Sequence, residues 1–255
     1  MPAPLDQPRL DDRPPLVRTA GGRRTLEFTP GDVQSEMLLA RPDALVLDYT
    51  RAMMCFALFV PDPRHIVMVG LGGGSLAKFC HRHFPRTRIT VLEIRADVIA
   101  LRDTFCLPPD DARLRILHCD AADYLARAPG GCDVLLVDGF DSRGLPSTLT
   151  SGAFYAACRR ALHPGGVLVA NIFTYDPQYP SALQRLRAAF DGRLAWFTGI
   201  AGNNRILFAA RPHPGAPTRG ERCLARLARK EGRGLGWSNR LLARLLVAWL
   251  ARRHP

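Results

Sequence analysis

Lysine is almost absent from this chain: of its 35 basic residues, all but Lys78 and Lys230 are arginine. No run of about 18 apolar residues exists, so no membrane-spanning helix is expected. The N-terminal stretch MPAPLDQPRLDDRPP lacks the apolar core that a secretory signal needs. The seven cysteines, at 55, 80, 106, 119, 132, 158 and 223, never form a C-x-x-C pair and are odd in number. That excludes a disulfide scaffold and argues against a zinc site. Most of the cysteines are expected as buried thiols in a reducing compartment, and the protein as cytoplasmic. What is present is ordinary: 255 residues, 47% hydrophobic and 23% charged, which suits one large globular domain with appendages.

Charge is unevenly placed. Residues 211–255 hold 11 Lys+Arg against 2 Asp+Glu, a net +9, whereas residues 1–210 hold 24 against 21. An electrostatic argument for an anionic partner therefore applies to the tail alone.

Residues 1–23, rich in Pro, Arg and Asp, read as a flexible leader. Residues 24–60 read as a small N-terminal β/helix element: extended pieces RTLEF, VQSEMLL and ALVLDY, then a helix beginning near Arg51. Residues 61–211 alternate apolar β-type runs (65–70, 88–94, 114–120, 133–140, 165–173) with helical stretches (75–84, 96–105, 121–128, 151–162, 180–190). That alternation predicts an α/β, Rossmann-like fold with a mostly parallel sheet covered on both faces. The runs 194–200 and 205–211, joined by Ala201-Gly202-Asn203-Asn204, should close the sheet as an antiparallel pair. Residues 212–255 form a basic helical tail, with Ser238 a plausible N-cap and Leu241, Leu242, Leu245, Leu246, Trp249 and Leu250 on one stripe. Such a helix either docks on the body or a second subunit, or contacts a membrane surface or nucleic acid.

The first strand of the alternation ends in Gly70-Leu71-Gly72-Gly73-Gly74-Ser75, directly before a helix. Glycines belong where the chain turns sharply and a ligand approaches the backbone, and a helix start offers free N–H groups. Glu93, 23 residues after Gly70, ends the second strand, where an acid can accept the hydroxyls of a ribose. The G-x-G-x-G spacing suits an S-adenosylmethionine-like ligand better than NAD. Asp120 ends the third strand, and Asp138 and Asp141 flank the end of the fourth. Together they make a negative pocket at the strand tips. Asp120 is placed to accept the adenine amino group or to cap the next helix. Asp138 and Asp141 are placed to hold a cationic amine, and one of them to deprotonate it. His81-Arg82-His83 reads as a solvated helix face rather than a metal site.

HIVMVGLGGGS, ITVLEI, HCDAADYL and DVLLVDGFDSRG, followed by Phe154-Tyr155 and HPGGVL, resemble the spermidine synthase family of polyamine aminopropyltransferases, from about Gln34 to Arg211. The resemblance implies a donor of decarboxylated S-adenosylmethionine, or S-adenosylmethionine itself, an amine acceptor and no metal. It implies that Gly70, Gly72 and Gly74 lie against the nucleoside, with Gln34 near the donor. Glu93 would bind the ribose, and Asp120 with Ala121 the adenine. Asp138 would be the base, with Asp141 and Tyr49 on the substrate side. Family members often form dimers, which leaves a homodimer open. The chain departs from the family at Gly73, where an acid is usual, at Thr50, where Tyr-Gln becomes Tyr49-Thr50, and near Ala201, which lacks an expected aromatic. Two other readings stay open: a methyltransferase using S-adenosylmethionine, and a non-catalytic nucleoside-binding protein.

Overall fold

The computed structural model describes residues 14–127, 130–139, 146–201, 204–229 and 236–253. It begins with an antiparallel sheet of β1 (Leu16–Ala20), β2 (Arg23–Glu27) and β3 (Val33–Leu38). Gly21 and Gly22 both have positive φ, 55° and 74°, and close the first hairpin with the backbone twist that a two-residue turn requires. A strand at 16–20 corrects the reading of residues 1–23 as leader within its described part, and residues 1–13 lie outside the described residues. The chain then runs through α1 (Asp48–Met53) and a 3-10 turn over Met54–Leu58. The run ALVLDY was expected to be extended. Instead Leu47 is the extended cap of α1, and the helix opens at Asp48.

The main sheet has seven strands: β4 (His65–Val69), β5 (Arg88–Glu93), β6 (Leu114–His118), β7 (Cys132–Val137), β8 (Leu162–Phe173), β9 (Leu194–Ala201) and β10 (Asn204–Ala210). Their order is β6-β5-β4-β7-β8-β10-β9, parallel from β6 to β8, with β10 antiparallel to both β8 and β9. The connecting helices are α2 (Ser75–His83), α3 (Ala96–Ala100), α4 (Ala121–Arg127), α5 (Gly152–Ala161) and α6 (Tyr179–Ala189). The tail supplies α7 (Arg219–Ala228) and α8 (Gly236–Arg253).

Strand alternation sorts the core into two layers. Ile66, Met68, Val91, Val134 and Val169 face α1, α2 and the tail helices, while Val67, Val69, Leu135 and Leu168 face α4, α5 and α6. The first layer runs without a break from Leu26 and Met37 of the small sheet to Leu224, Ala243 and Leu250 of the tail. Changes of element type occur near residues 60 and 211, but one hydrophobic core crosses both. Lys78 of α2 ties the first layer to the small sheet: its buried ammonium donates to the Phe105 carbonyl at 2.6 Å and lies 3.1 Å from Met37 Sδ. Burial lowers its pKa to about 8.

Three local expectations are corrected. The helix expected over 96–105 stops at Ala100, because Phe105 turns into the core and Cys106 adopts φ 55°. His83 is buried against Phe79, with ring centroids 4.5 Å apart, so only part of the His81–His83 face is solvated. Ser238 lies inside α8 rather than capping it.

Tail helix α7 is fixed at its start by a reciprocal cap. Thr218 Oγ1 accepts the Glu221 N–H at 3.1 Å, and Glu221 Oε2 accepts the Thr218 N–H at 2.7 Å. Thr218→Ala should therefore cost about 1 kcal/mol, read as a lowered urea midpoint with unchanged slope.

Candidate active site

The order of the main sheet reverses between β4 and β7, and at such a switch point the loops diverge and leave a crevice at the carboxyl ends of the strands. A cleft of about 560 Å³ lies there. Gln34, Tyr49, Gly70, Gly72, Glu93, Asp120, Ala121 and Asp138 all line it. Two expected site residues stand apart. Asp141 lies outside the described residues. Gly74 is not in the cleft wall: it is the left-handed cap of α2, with φ 68°, and packs against Leu107.

Gly70 has φ 92°, and a Cβ there would run into the Asp138 carbonyl. Only a residue without a side chain lets β4 and β7 approach so closely at their tips. Gly73 is tight in another way: a Cβ would sit 2.7 Å from Ser35 Oγ and 2.8 Å from Phe105 Cδ1. The loop as folded leaves no room for an acid at this position.

Glu93 is 7% exposed. Oε2 accepts the Leu71 N–H and Oε1 the Arg95 N–H, each at 2.8 Å. The carboxylate thus fastens the glycine loop to the end of β5. Each oxygen keeps a second lone pair for a ligand hydroxyl. Burial raises its pKa, against the pull of these N–H donors. Asp120 caps α4, with Oδ1 accepting the Ala122 N–H at 2.6 Å and the Asp123 N–H at 3.2 Å. The capping role weighed for it is present, and Oδ2 is the oxygen that remains for a ligand. Arg95 lies 4.8 Å over the ring of Phe28, and both side chains form part of the cleft wall.

Asp138 sits at the tip of β7. Its Oδ1 accepts the Asn171 Nδ2–H at 2.9 Å. Asn171 Oδ1 in turn accepts from Asn204 Nδ2 at 2.9 Å, so two amides link the carboxylate to β10. The Tyr49 hydroxyl donates to the Gln34 carbonyl at 3.4 Å and lies beside the Asp138 carboxylate, near enough to shift its pKa. Burial raises the Asp138 pKa to about 6, opposed by the Asn171 hydrogen bond and by Tyr49. Burial together with the adjacent Asp138 charge raises the Tyr49 pKa well above its ordinary value, so the phenol stays a donor. Gln34 is turned partly aside, with Nε2 on Asp32 Oδ2 at 2.8 Å.

Asn171, Asn204 and the stacked pair Phe173–Tyr175, 5.2 Å between centroids, line the cleft beside Asp138. Sequence reasoning passed over all four. The available signal was one amide inside the apolar run V-L-V-A-N-I-F, where a polar side chain needs a partner. Among the described residues no group of three His, Cys, Asp or Glu side chains is gathered as metal ligands would be.

Residues 47–184 match the family model of the spermine/spermidine synthase domain. A polyamine aminopropyltransferase of Chromobacterium violaceum is 37% identical over 210 residues, covering 82% of this chain and 80% of that protein. Among solved structures, a probable spermidine synthase from Corynebacterium glutamicum superposes with a TM-score of 0.69 at 22% identity, covering 83% of this chain and 82% of that one. Human methyltransferase-like protein 13, solved with SAH, gives a TM-score of 0.60 at 26% identity, covering 74% of this chain and 96% of that one. The glycine loop, the strand-tip carboxylates and more than half the length of the sequence agree: the chain belongs to the spermine/spermidine synthase family.

Proposed function

We propose that the protein transfers an aminopropyl group from decarboxylated S-adenosylmethionine to an amine of the polyamine type, with Asp138 as base. The observation that carries this reading is the Asp138 carboxylate, held by Asn171 beside Tyr49 in the same cleft as Glu93 and the glycine loop. Glu93 takes the ribose hydroxyls. Asp120 and Ala121 meet the adenine. Gly70 and Gly72 let the nucleoside lie against the backbone.

An alkyl ammonium has a pKa near about 10 and no lone pair with which to attack. Asp138 first attracts that cation and then accepts its proton. The nearby sulfonium charge lowers the amine's own pKa and helps the transfer. The freed nitrogen attacks the carbon beside sulfur, a C–N bond forms, and the C–S electron pair returns to sulfur as a neutral thioether. A base with a pKa of about 6 is a stronger proton acceptor than an ordinary carboxylate, yet is still mostly ionised at neutral pH. Tyr49 keeps its proton and orients the carboxylate.

Gly73 favours a second reading, transfer of a methyl group from S-adenosylmethionine itself. No acid stands at that loop position to hold a donor ammonium or to repel a donor carboxylate. Incubation of each labelled donor with a diamine separates the two. A product enlarged by a three-carbon amine supports aminopropyl transfer, and a methylated product would replace it.

Asp138→Asn should lower turnover by about 10²-fold or more, the share of a general base, with donor affinity changed only a few-fold in calorimetry. Loss of donor binding in that variant would mean that the carboxylate shapes the pocket instead. The acid limb carries a further test. Activity needs the ionised carboxylate, so kcat/KM for the donor should fall as pH drops through about 6. Asn171→Leu removes a hydrogen bond that favours the charged form. The limb should move to higher pH while the plateau is largely kept, whereas a purely structural role would lower the plateau and leave the limb in place.

A further inference from the structure

Helix α8 is apolar on two sides. Asn239, Ala243, Leu246, Val247 and Leu250 turn inward, and Ala243 and Leu250 are 1% exposed against the core beside β9, α1 and the 3-10 turn. Asn239 Nδ2 donates to the Thr198 carbonyl of β9 at 3.0 Å, and Arg244 reaches Asp48 of α1 at 3.3 Å. The opposite side carries Trp237, Leu241, Leu242, Leu245 and Trp249, all open to solvent, with Leu245 60% exposed. At 1.5 Å per residue the two tryptophans stand about 18 Å apart along the axis, bracketing the leucines.

The helix bears Arg240, Arg244, Arg252 and Arg253 and no acid. Arg244 and Arg253 pair with Asp48 and Asp62 of the body. Arg240 and Arg252 are exposed and have no ion pair among the described residues. Neighbouring α7, also packed on β9, adds the exposed Arg219, Arg222, Arg226 and Arg229.

We propose that the solvent side of α8 is a docking surface for an anionic lipid membrane surface, its tryptophans and leucines entering the headgroup layer and its arginines meeting lipid phosphates. A helix with a Trp/Leu side rimmed by arginine lies in the plane of such an interface, its apolar side sunk about 5–10 Å. No described helix is long and apolar enough to cross a membrane, so the contact is peripheral. Charge argues against one obvious competitor and the apolar centre against the other. A second copy packed helix to helix about a two-fold axis would add Arg240 and Arg252 of each copy, four arginines without an ion pair among the described residues, with no α8 acid to answer them. Nucleic acid asks for donors across the whole surface, and three leucines at the centre offer none.

The test uses the full chain, floated with vesicles of phosphatidylcholine alone and of phosphatidylcholine mixed with phosphatidylglycerol. It should rise with the anionic vesicles, stay behind with the neutral ones and be released by high salt. The double variant Leu241→Glu with Leu245→Glu should lose at least about tenfold of that binding. Its melting temperature and its turnover should stay unchanged, because both side chains are outside the cleft and the core. Failure to float, or equal flotation of the double variant, overturns the proposal. So does a dimer in sedimentation equilibrium that the double variant dissolves without any vesicle binding, or duplex RNA capture that the same variant abolishes in its place.

Discussion

One buried carboxylate holds the tips of the central strands in register. Glu93 takes an N–H from the glycine loop after β4 and another from the chain leaving β5. Placing a carboxylate where water is scarce is costly, and the raised pKa records that cost. The two backbone donors offset much of it. With the loop so fastened, Gly70 is held against the Asp138 carbonyl, and the Glu93 side and the Asp138 side of the cleft become parts of one frame. Neither side can shift without disturbing a hydrogen bond of the other.

The Asp138 carboxylate is tuned by groups that are themselves constrained. Asn171 rises from β8, the parallel neighbour of β7, and Asn204 from β10, the antiparallel neighbour of β8. The antiparallel end of the sheet therefore does more than cover an edge: it carries the last member of an amide relay ending on Asp138. Desolvation and hydrogen bonding pull the carboxyl in opposite directions, and the balance leaves it between a resting carboxylate and a neutral acid.

The parallel sheet, its two helical layers and the strand-tip positions of Glu93, Asp120 and Asp138 were legible in the sequence, because period-two and period-3.6 patterns and a glycine loop are local signals. The amide relay was not. Asn171 and Asn204 are 33 residues apart and acquire meaning only when β10 folds back beside β8. The strand Leu16–Ala20 was hidden for a related reason. It is an edge strand, exposed along most of its length, and shows no alternation to read. For α8 the leucines made the louder pattern, yet the side packed on the body is built of Asn239, Ala243, Leu246, Val247 and Leu250, with Ala243 and Leu250 buried. Gly73 was visible as a departure from its relatives, but only coordinates show that its neighbours Ser35 and Phe105 close the space.

The contact between α8 and α1 reaches further than the tail itself. Helix α1 carries Tyr49 into the cleft, and its first residue, Asp48, is gripped from outside by Arg244. The segment shared with the family model ends at residue 184, so this brace comes from chain that the model does not include. A catalytic unit trimmed to the shared segment would lose the wall behind its own tyrosine. The smallest self-sufficient unit is therefore larger than the segment that the family model matches.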